Sequence, residues 1–220
     1  MDGDAIYHRI QSAILERRLL PGAKLAEERL ASASGASRMR IRQVLARLAH
    51  EQIVTLIPNR GAFISRPTVE EAREMFEARR LIEPALAAKL CAQASPKNIA
   101  VLREHVEKES LARRQGDTRS LIRLSGEFHI HLVSMVAEGI LLRMVRELTF
   151  LTCLIITLYD KPNTPACPEH EHETLVDLIE AGKAEAAHEH MLQHLQHIEQ
   201  TLDLSREMRD EPDLEAIFSD

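Results

Sequence analysis

The sequence contains no tryptophan, and aromatic residues make up only 3% of its 220 positions. Leucine- and alanine-rich segments at helical spacing dominate instead, which predicts a mainly α protein. Cysteine is also scarce. Cys91, Cys153 and Cys167 form an odd, scattered set, which argues against a disulfide framework or a thiolate metal site and suits a reducing cytoplasm. Long apolar runs are missing too. The most apolar stretch, LTFLTCLIITLY over 148–159, is too short to span a bilayer and reads as a buried core helix. The opening MDGDAIYHRI is acidic and lacks an apolar core, so no secretory signal is expected. Neither an internal repeat nor a low-complexity tract is visible. These absences predict a cytoplasmic protein with no membrane partner.

What is present is an ordinary globular composition, 45% hydrophobic and 28% charged, long enough for one or two domains with a sizeable core. The net charge of −6 hides an asymmetry. Residues 1–66 hold eleven Arg and Lys against six Asp and Glu, a net of +5, so the remainder carries −11. A basic N-terminal part on an acidic body suggests a nucleic-acid-binding head joined to something else.

Boundary signals are dense in the first 66 residues. AIYHRIQSAILERR (5–18) places Ile6, Ile10, Ala13 and Ile14 on one helical stripe, and Pro21-Gly22 stops it. AEERLASAS is a short helix ended by Gly35. A second helix follows with Ser37 as its N-cap. IVTLIPNRGAFIS then shows two β-like runs flanking PNRG, a hairpin signature. This order predicts a winged helix-turn-helix over 1–66. From Thr68 only helices are expected, roughly 68–94, 96–115, 117–137, 140–159, 168–181 and 183–207. They predict an all-α antiparallel bundle over 67–220, with a polar, acidic tail.

On the second helix of the head, at 100° per residue, Ile41, Val44, Leu45 and Leu48 share the core side. Arg38 and Arg42 fall on one flank, Arg40 and Arg47 on the other, with Met39, Gln43 and Ala46 between them. Cations bordering the face can reach phosphates, and a central amide can meet base edges in a major groove. A solvated basic helix surface is the bland alternative. The helix order, the arginines and the hairpin together favour double-stranded DNA.

LLPGAKLAEERLASASGASRMRIRQVLARLAHEQIVTLIPNRGAFI resembles the DNA-binding domain of GntR-family transcription regulators over about 60 residues. That family runs PG-x-x-L, a short helix, G-V-S-R-x-x-V-R-E-A-L-x-x-L, then a P-N-R-G-A-x-V wing. The resemblance implies operator contacts at Ser37, Arg38 and Arg42, a phosphate contact at Arg29, and a wing tip at Arg60 and Gly61. Three positions depart from it. Gln43 replaces the usual Glu, Arg40 a small or apolar residue, and Gln52 the Gly after Glu51. Gln43 is expected to shift base preference and Arg40 to add an electrostatic contact.

The chain has eleven histidines. His8 and His50 fall in the head, and His105, His188 and His197 are expected at the surface or partly buried. His129 and His131 lie about 200° apart on one helix, so only one can face inward. Leu121, Leu124, Phe128, Leu132 and Met135 form the apolar stripe. Ser125 and His129 adjoin it at i, i+4, and His131 does not. With His172 and His194, His129 offers three imidazoles from three helices that could converge on a metal. The competing reading is that lone helical histidines are mostly structural.

After its head the chain resembles the FadR-type branch of that family, whose all-helical effector domain is called FCD. The matching segments are EARRLIEPALAAKLCAQ, FHIHL and HETLVDLIEAGKAEAAHEHMLQHL, and six helices suggest the shorter, VanR-like form. Many members hold a divalent metal through an Asp and three histidines. By resemblance these positions are Ser125, His129, His172 and His194, with Arg79 and Glu83 lining the effector pocket. The departure is Ser125, a neutral hydroxyl in place of the anionic ligand. One implied state has Zn²⁺ or Ni²⁺ on three neutral histidines, completed by water or an effector carboxylate. The other is metal-free, with the imidazoles binding an anionic effector directly. The first is favoured.

The leading expectation is a non-enzymatic, ligand-responsive transcription regulator, a repressor in the commoner family mode. It would bind a palindromic operator as a homodimer and sense a small organic acid or similar metabolite. The alternatives are an effector-independent dimeric DNA-binding protein and a three-histidine metal hydrolase.

Overall fold

A computed structural model describes residues 1–161 and 169–205 of the chain. The head consists of α1 (Gly3–Leu15), β1 (Lys24–Leu25), α2 (Glu27–Ser34), α3 (Arg38–His50), β2 (Val54–Ile57) and β3 (Gly61–Ile64). The body consists of α4 (Val69–Gln93), α5 (Pro96–Arg114), α6 (Thr118–Ser134), α7 (Ile140–Tyr159), α8 (Glu171–Glu180) and α9 (Ala184–Gln200). This is the expected architecture, mainly α, with a winged helix-turn-helix followed by a helical bundle.

Local chemistry sets the boundaries. Ser37 caps α3 by accepting from the Arg40 amide, and Thr68 with Glu71 forms a reciprocal capping box that starts α4. The antiparallel sheet has the order β1-β3-β2. The two-residue β1 has no sequence signal of its own. At the wing tip, Asn59 and Gly61 both take positive φ, 61° and 100°, which turns β2 back onto β3.

Several helix ends differ from expectation. α1 ends at Leu15, not Arg18, because Arg17 adopts a left-handed conformation (φ 53°) and its guanidinium pairs with Asp160 at 3.2 Å. α8 begins at Glu171 because His170 is also left-handed (φ 65°). α9 stops at Gln200, well short of 207, because the chain after it pairs with the end of α7. There the Asp203 amide donates to the Tyr159 carbonyl at 2.7 Å, and Asp160 and Leu202 form a β-bridge. Cys167 and the acidic tail from Arg206 onward lie outside the described residues. No helix among the described residues is long and apolar enough to cross a membrane.

Two apolar clusters form the interior. One joins the head to the body: Ile41, Leu45 and Leu48 of α3, Ile10 and Ile14 of α1, Phe76 of α4, and Phe150 and Leu154 of α7 belong to a single cluster. The other lies wholly in the body, around Leu90, Leu102, Phe128, Leu132, Leu175 and Met191. Because the first cluster crosses from α1 to α7, the head does not hang from a bare linker. Displacing α7 would disturb side chains on which the head is packed.

Candidate functional site

A polar layer lies between the two apolar clusters, and three helices cross it. Along α4, Phe76 belongs to the first cluster and Leu86 to the second, with Arg79 and Glu83 between them. In α6, Ser125 and His129 follow Ile122 of the first cluster and precede Leu132 of the second. In α9, His194 is flanked by Leu195 of the second cluster and, one turn on, Ile198 of the first. His172 enters from the first turn of α8. All four charged or imidazole side chains from α4, α6 and α9 are buried: Arg79 is 1% exposed, Glu83 0%, His129 2% and His194 1%.

His129, His172 and His194 converge through their Nε2 atoms. Nε2 of His194 lies 3.1 Å from that of His172 and 3.2 Å from that of His129. Each Nδ1 meets a different carboxylate: His129 meets Glu83 at 2.6 Å, His172 meets Glu109 at 2.8 Å and His194 meets Glu171 at 2.6 Å. An ionised carboxylate only accepts, so the pairings with Glu83 and Glu171 put the proton on Nδ1 of His129 and His194 and leave a bare lone pair on each Nε2. These two lone pairs converge with Nε2 of His172, an arrangement that favours a shared cation. A zinc ion held at tetrahedral Zn–N distances separates its nitrogens by roughly 3.3 Å, close to what is seen. The residues therefore fit a three-histidine metal site, and their backing carboxylates orient the rings as such sites require.

Electrostatics agree with neutral, pre-oriented ligands. Burial pushes His129 down to about 3, outweighing the opposing pull of Glu83, and burial also holds His172 well below its ordinary value. Burial alone would raise Glu83, but Arg79 and His129 beside it hold it well below the usual carboxylate range. Glu171 is likewise raised by burial, yet hydrogen bonds from His194 and His197 bring it to about 2. For Glu109 desolvation wins, and its carboxyl rises to about 7.

A small cavity of about 20 Å³ opens beside His129, lined by Arg79, Ser125, Gly126, Thr149, Thr152 and Cys153 among others. Arg79 donates through Nε and Nη2 to Glu83 and through Nη1 to Thr152, which uses three of its five N–H donors. The Thr149 hydroxyl is buried and has no hydrogen-bond partner. Glu83 does not line the cavity. It stands behind Arg79 and His129, so the expected pair of pocket residues divides into one that faces the space and one that holds the other in place.

On the head, the core side of α3 is buried as expected, while Met39, Gln43 and Ala46 are exposed. Arg38 pairs with Glu28 at 3.0 Å, and Arg42 with Glu27 at 2.8 Å, both on α2. Arg40 donates to the Met1 carbonyl. Arg29, Arg60 and Gly61 are exposed. Ser37 spends its hydroxyl on the cap. Arg47 differs from the other arginines. Its guanidinium sits 3.8 Å from the Tyr7 ring centroid and pairs with Asp4 and Glu51, so it is engaged with α1 and not free on the flank.

With this geometry in view, two family models match: residues 3–64 fit the gntR family of bacterial regulatory proteins, and residues 74–197 fit the FCD domain. The chain belongs to the FCD-bearing GntR family. It is 29% identical over 134 residues to a Streptomyces ambofaciens protein described as an uncharacterized HTH-type transcriptional regulator in unstable DNA locus. That match covers 61% of this chain and 56% of that protein, so the chain spans little more than half the length of that relative. It is 27% identical over 189 residues to the Nta operon transcriptional regulator of Aminobacter aminovorans, covering 84% and 88% of the two chains. The fold matches that of E. coli McbR/YncC with a TM-score of 0.77 at 19% identity, over 89% of this chain and 93% of the other. This GntR–FCD chain is thus a DNA-binding transcription regulator, not an enzyme.

Sequence reasoning missed several residues that shape the site. Glu109 and Glu171 sit in charged helical stretches that read as solvent-facing, and only the approach of α5 and α8 turns them inward. His105, expected at the surface or partly buried, is fully buried at 6% exposure and meets the Leu124 carbonyl through Nε2 at 2.8 Å. Thr149 had no local signal at all.

Proposed function

We propose that this regulator is a repressor that binds a palindromic operator as a homodimer and is released by a small organic acid bound in its helical body. In this reading residues 1–66 form the DNA-binding head, and residues 67–220 bind the effector and dimerise, in the cytoplasm. Ser37, Arg38, Arg40, Arg42 and Gln43 face the major groove, Arg29 meets phosphate, and Arg60 with Gly61 forms the wing tip. His129, His172 and His194 hold a divalent metal of the zinc or nickel kind, which supplies a Lewis-acidic anchor for an anionic oxygen. Arg79 and Ser125 line the effector's side of the site, and Glu83 orients His129.

The observation that carries this reading is the apolar cluster shared by head and body. Cys153 of α7 borders the cavity, and it packs with Phe150, one turn before it, and the adjacent Leu154 in the cluster that contains Ile10 and Ile14 of α1. A ligand that displaces α7 therefore acts on the packing of α1 and, through it, on α3. For such a ligand to control DNA binding, it must bind the two head arrangements with different affinity. Exposed Leu81, Ile140, Leu141 and Met144 offer apolar surface on α4 and α7 for a second copy.

The test is operator binding by the full chain, with and without a panel of small carboxylates, alongside thermal unfolding with the same panel. A carboxylate that stabilises the protein and weakens operator binding supports the reading. If no carboxylate does either, the effector-independent DNA-binding reading takes its place.

A further inference from the structure

A larger space lies between head and body. α1 and the end of α3 face α6 and α7 across a cleft of about 480 Å³. Sites for small molecules usually measure about 300–1,000 Å³, and the junction of two domains is a common place for one. The cavity beside His129 holds only about 20 Å³, and among the described residues none lines both spaces.

One wall of the cleft belongs to α7. At 100° per residue, Arg143, Arg146, Glu147 and Phe150 fall within about 100° of one another, and all four line the cleft. Arg143 and Arg146 are exposed, and neither makes an ion pair among the described residues. The acids around them are mostly engaged. Glu51 is held by Tyr7 and Arg47, and both oxygens of Glu127 receive Arg123. Arg47 in turn is balanced by Asp4 and Glu51. That leaves two guanidinium groups against the single carboxylate of Glu147, so the open charge of the cleft is positive. His8 of α1 and His131 of α6 bring imidazole nitrogens to the other walls, and Ile130 and Phe150 add apolar surface.

A planar guanidinium meets two oxygens of a phosphate or carboxylate at once, and two of them on successive turns can grip one anion. We infer that the cleft is a second ligand site, which takes the phosphate or dicarboxylate group of a small metabolite between Arg143 and Arg146 of the body and His8 of the head. The same anion touches both domains, so it favours the arrangement in which they meet. It reaches the head directly, without passing through the core of the body. The site stands on the cleft alone and holds whether or not the histidine cluster binds metal.

Isothermal titration of the full chain with inorganic phosphate and, separately, with malonate tests it, with tyrosine emission followed alongside. The chain has no tryptophan and only two tyrosines, and Tyr7 lines the cleft, so a ligand there changes the emission. One anion per chain is expected to bind, with the same affinity whether or not Zn²⁺ is present. Binding of phosphate alone identifies a phosphorylated ligand, and binding of malonate alone a dicarboxylate. The double variant Arg143→Ala with Arg146→Ala should lose affinity by about tenfold or more, the usual effect of a charge-assisted hydrogen bond. Both side chains are exposed, so its thermal unfolding without ligand should match the parent's. Arg42→Ala, on the DNA-binding face, should bind as the parent does. No saturable binding of either anion overturns the proposal, as does binding that the double variant retains. Loss of binding in Arg42→Ala, or a requirement for Zn²⁺, also overturns it, because the anion then sits on the DNA-binding face or at the histidine cluster.

Discussion

His129 Nδ1 donates to Glu83 Oε2 at 2.6 Å, and the same carboxylate receives Nε and Nη2 of Arg79. One fully buried carboxylate thus sets both the ring orientation of a candidate ligand and the position of the guanidinium beside the cavity. Glu83→Gln leaves Arg79 as an uncompensated buried charge, so a stability loss of about 3–5 kcal/mol is expected. It also weakens the hold on the His129 ring, for which a 10- to 100-fold loss of metal affinity is usual. Urea denaturation and zinc titration measure the two effects. Replacing the pair together, as Arg79→Met with Glu83→Leu, should recover much of the stability and none of the metal affinity. If the single variant unfolds at the parent's midpoint, the pair does not hold the site together.

Tyr7 is expected to make the head sensitive to alkali. Its hydroxyl lies 2.5 Å from Glu51 Oε2 and receives Gln11 Nε2. Burial, followed by the hydrogen bond and charge of Glu51, pushes it well above the ordinary phenol value. The folded value exceeds the unfolded one, so the stabilisation is complete below the unfolded value of about 10 and is lost as the pH rises beyond it. Tyr7→Phe should cost about 1–2 kcal/mol at neutral pH through the partners it strands. It should also flatten the fall in stability above about pH 10. Parallel pH–stability curves for the two proteins in that window would contradict this origin.

Gln52 occupies a left-handed conformation (φ 57°) just past α3, at the position where the pattern this head resembles has glycine. A non-glycine residue there costs about 1–2 kcal/mol, while glycine loses about 0.5–1 kcal/mol more chain entropy on folding. Gln52→Gly should therefore stabilise the protein by about 0.5–1 kcal/mol, a rise in Tm of roughly 1–4 °C at this chain length. Calorimetry decides the matter, and a lower Tm would mean that the Gln52 side chain makes a contribution that its exposure hides.

Much of this could be read from sequence because the relevant signals are local. Ser37, Thr68 and Gly61 announce their turns and caps, and the period of 3.6 separates His129 from His131 correctly: one is 2% exposed and the other lies at the surface. His129 could be proposed because it borders an apolar stripe, and the set of three because the body resembles a family with histidines at these positions. The carboxylates behind them could not, since a glutamate that faces a histidine on another helix has the same local context as one that faces water. The same holds for Arg47. Helical phase puts it on a flank of α3, but only the packing of α1 shows that Tyr7, Asp4 and Glu51 have already claimed it. Helix ends fail for the same reason, since Arg17 and the segment after α9 answer to Asp160 and Tyr159, both distant in sequence.

The contrast between Arg42 and Arg47 gives a test of the DNA-binding face. Arg42 is bound only to Glu27 across an exposed surface, a pair worth about 0–1 kcal/mol, so a phosphate can take it over. Arg47 is held by two carboxylates and a ring, and releasing it would disturb the α1–α3 contact. Arg42→Ala should weaken operator binding and reduce the slope of log K against log salt by about 1. Arg47→Ala should leave that slope unchanged while lowering thermal stability, because what it removes is a contact within the head. Gln43→Glu, at the centre of the face, should change which base is preferred and leave the salt slope nearly intact, since it alters a base-edge contact and not a phosphate one. Salt-dependent binding to a randomised-site library measures all three variants together. A slope that drops for Arg47→Ala as it does for Arg42→Ala would place Arg47 on the DNA and require α1 to release it on binding.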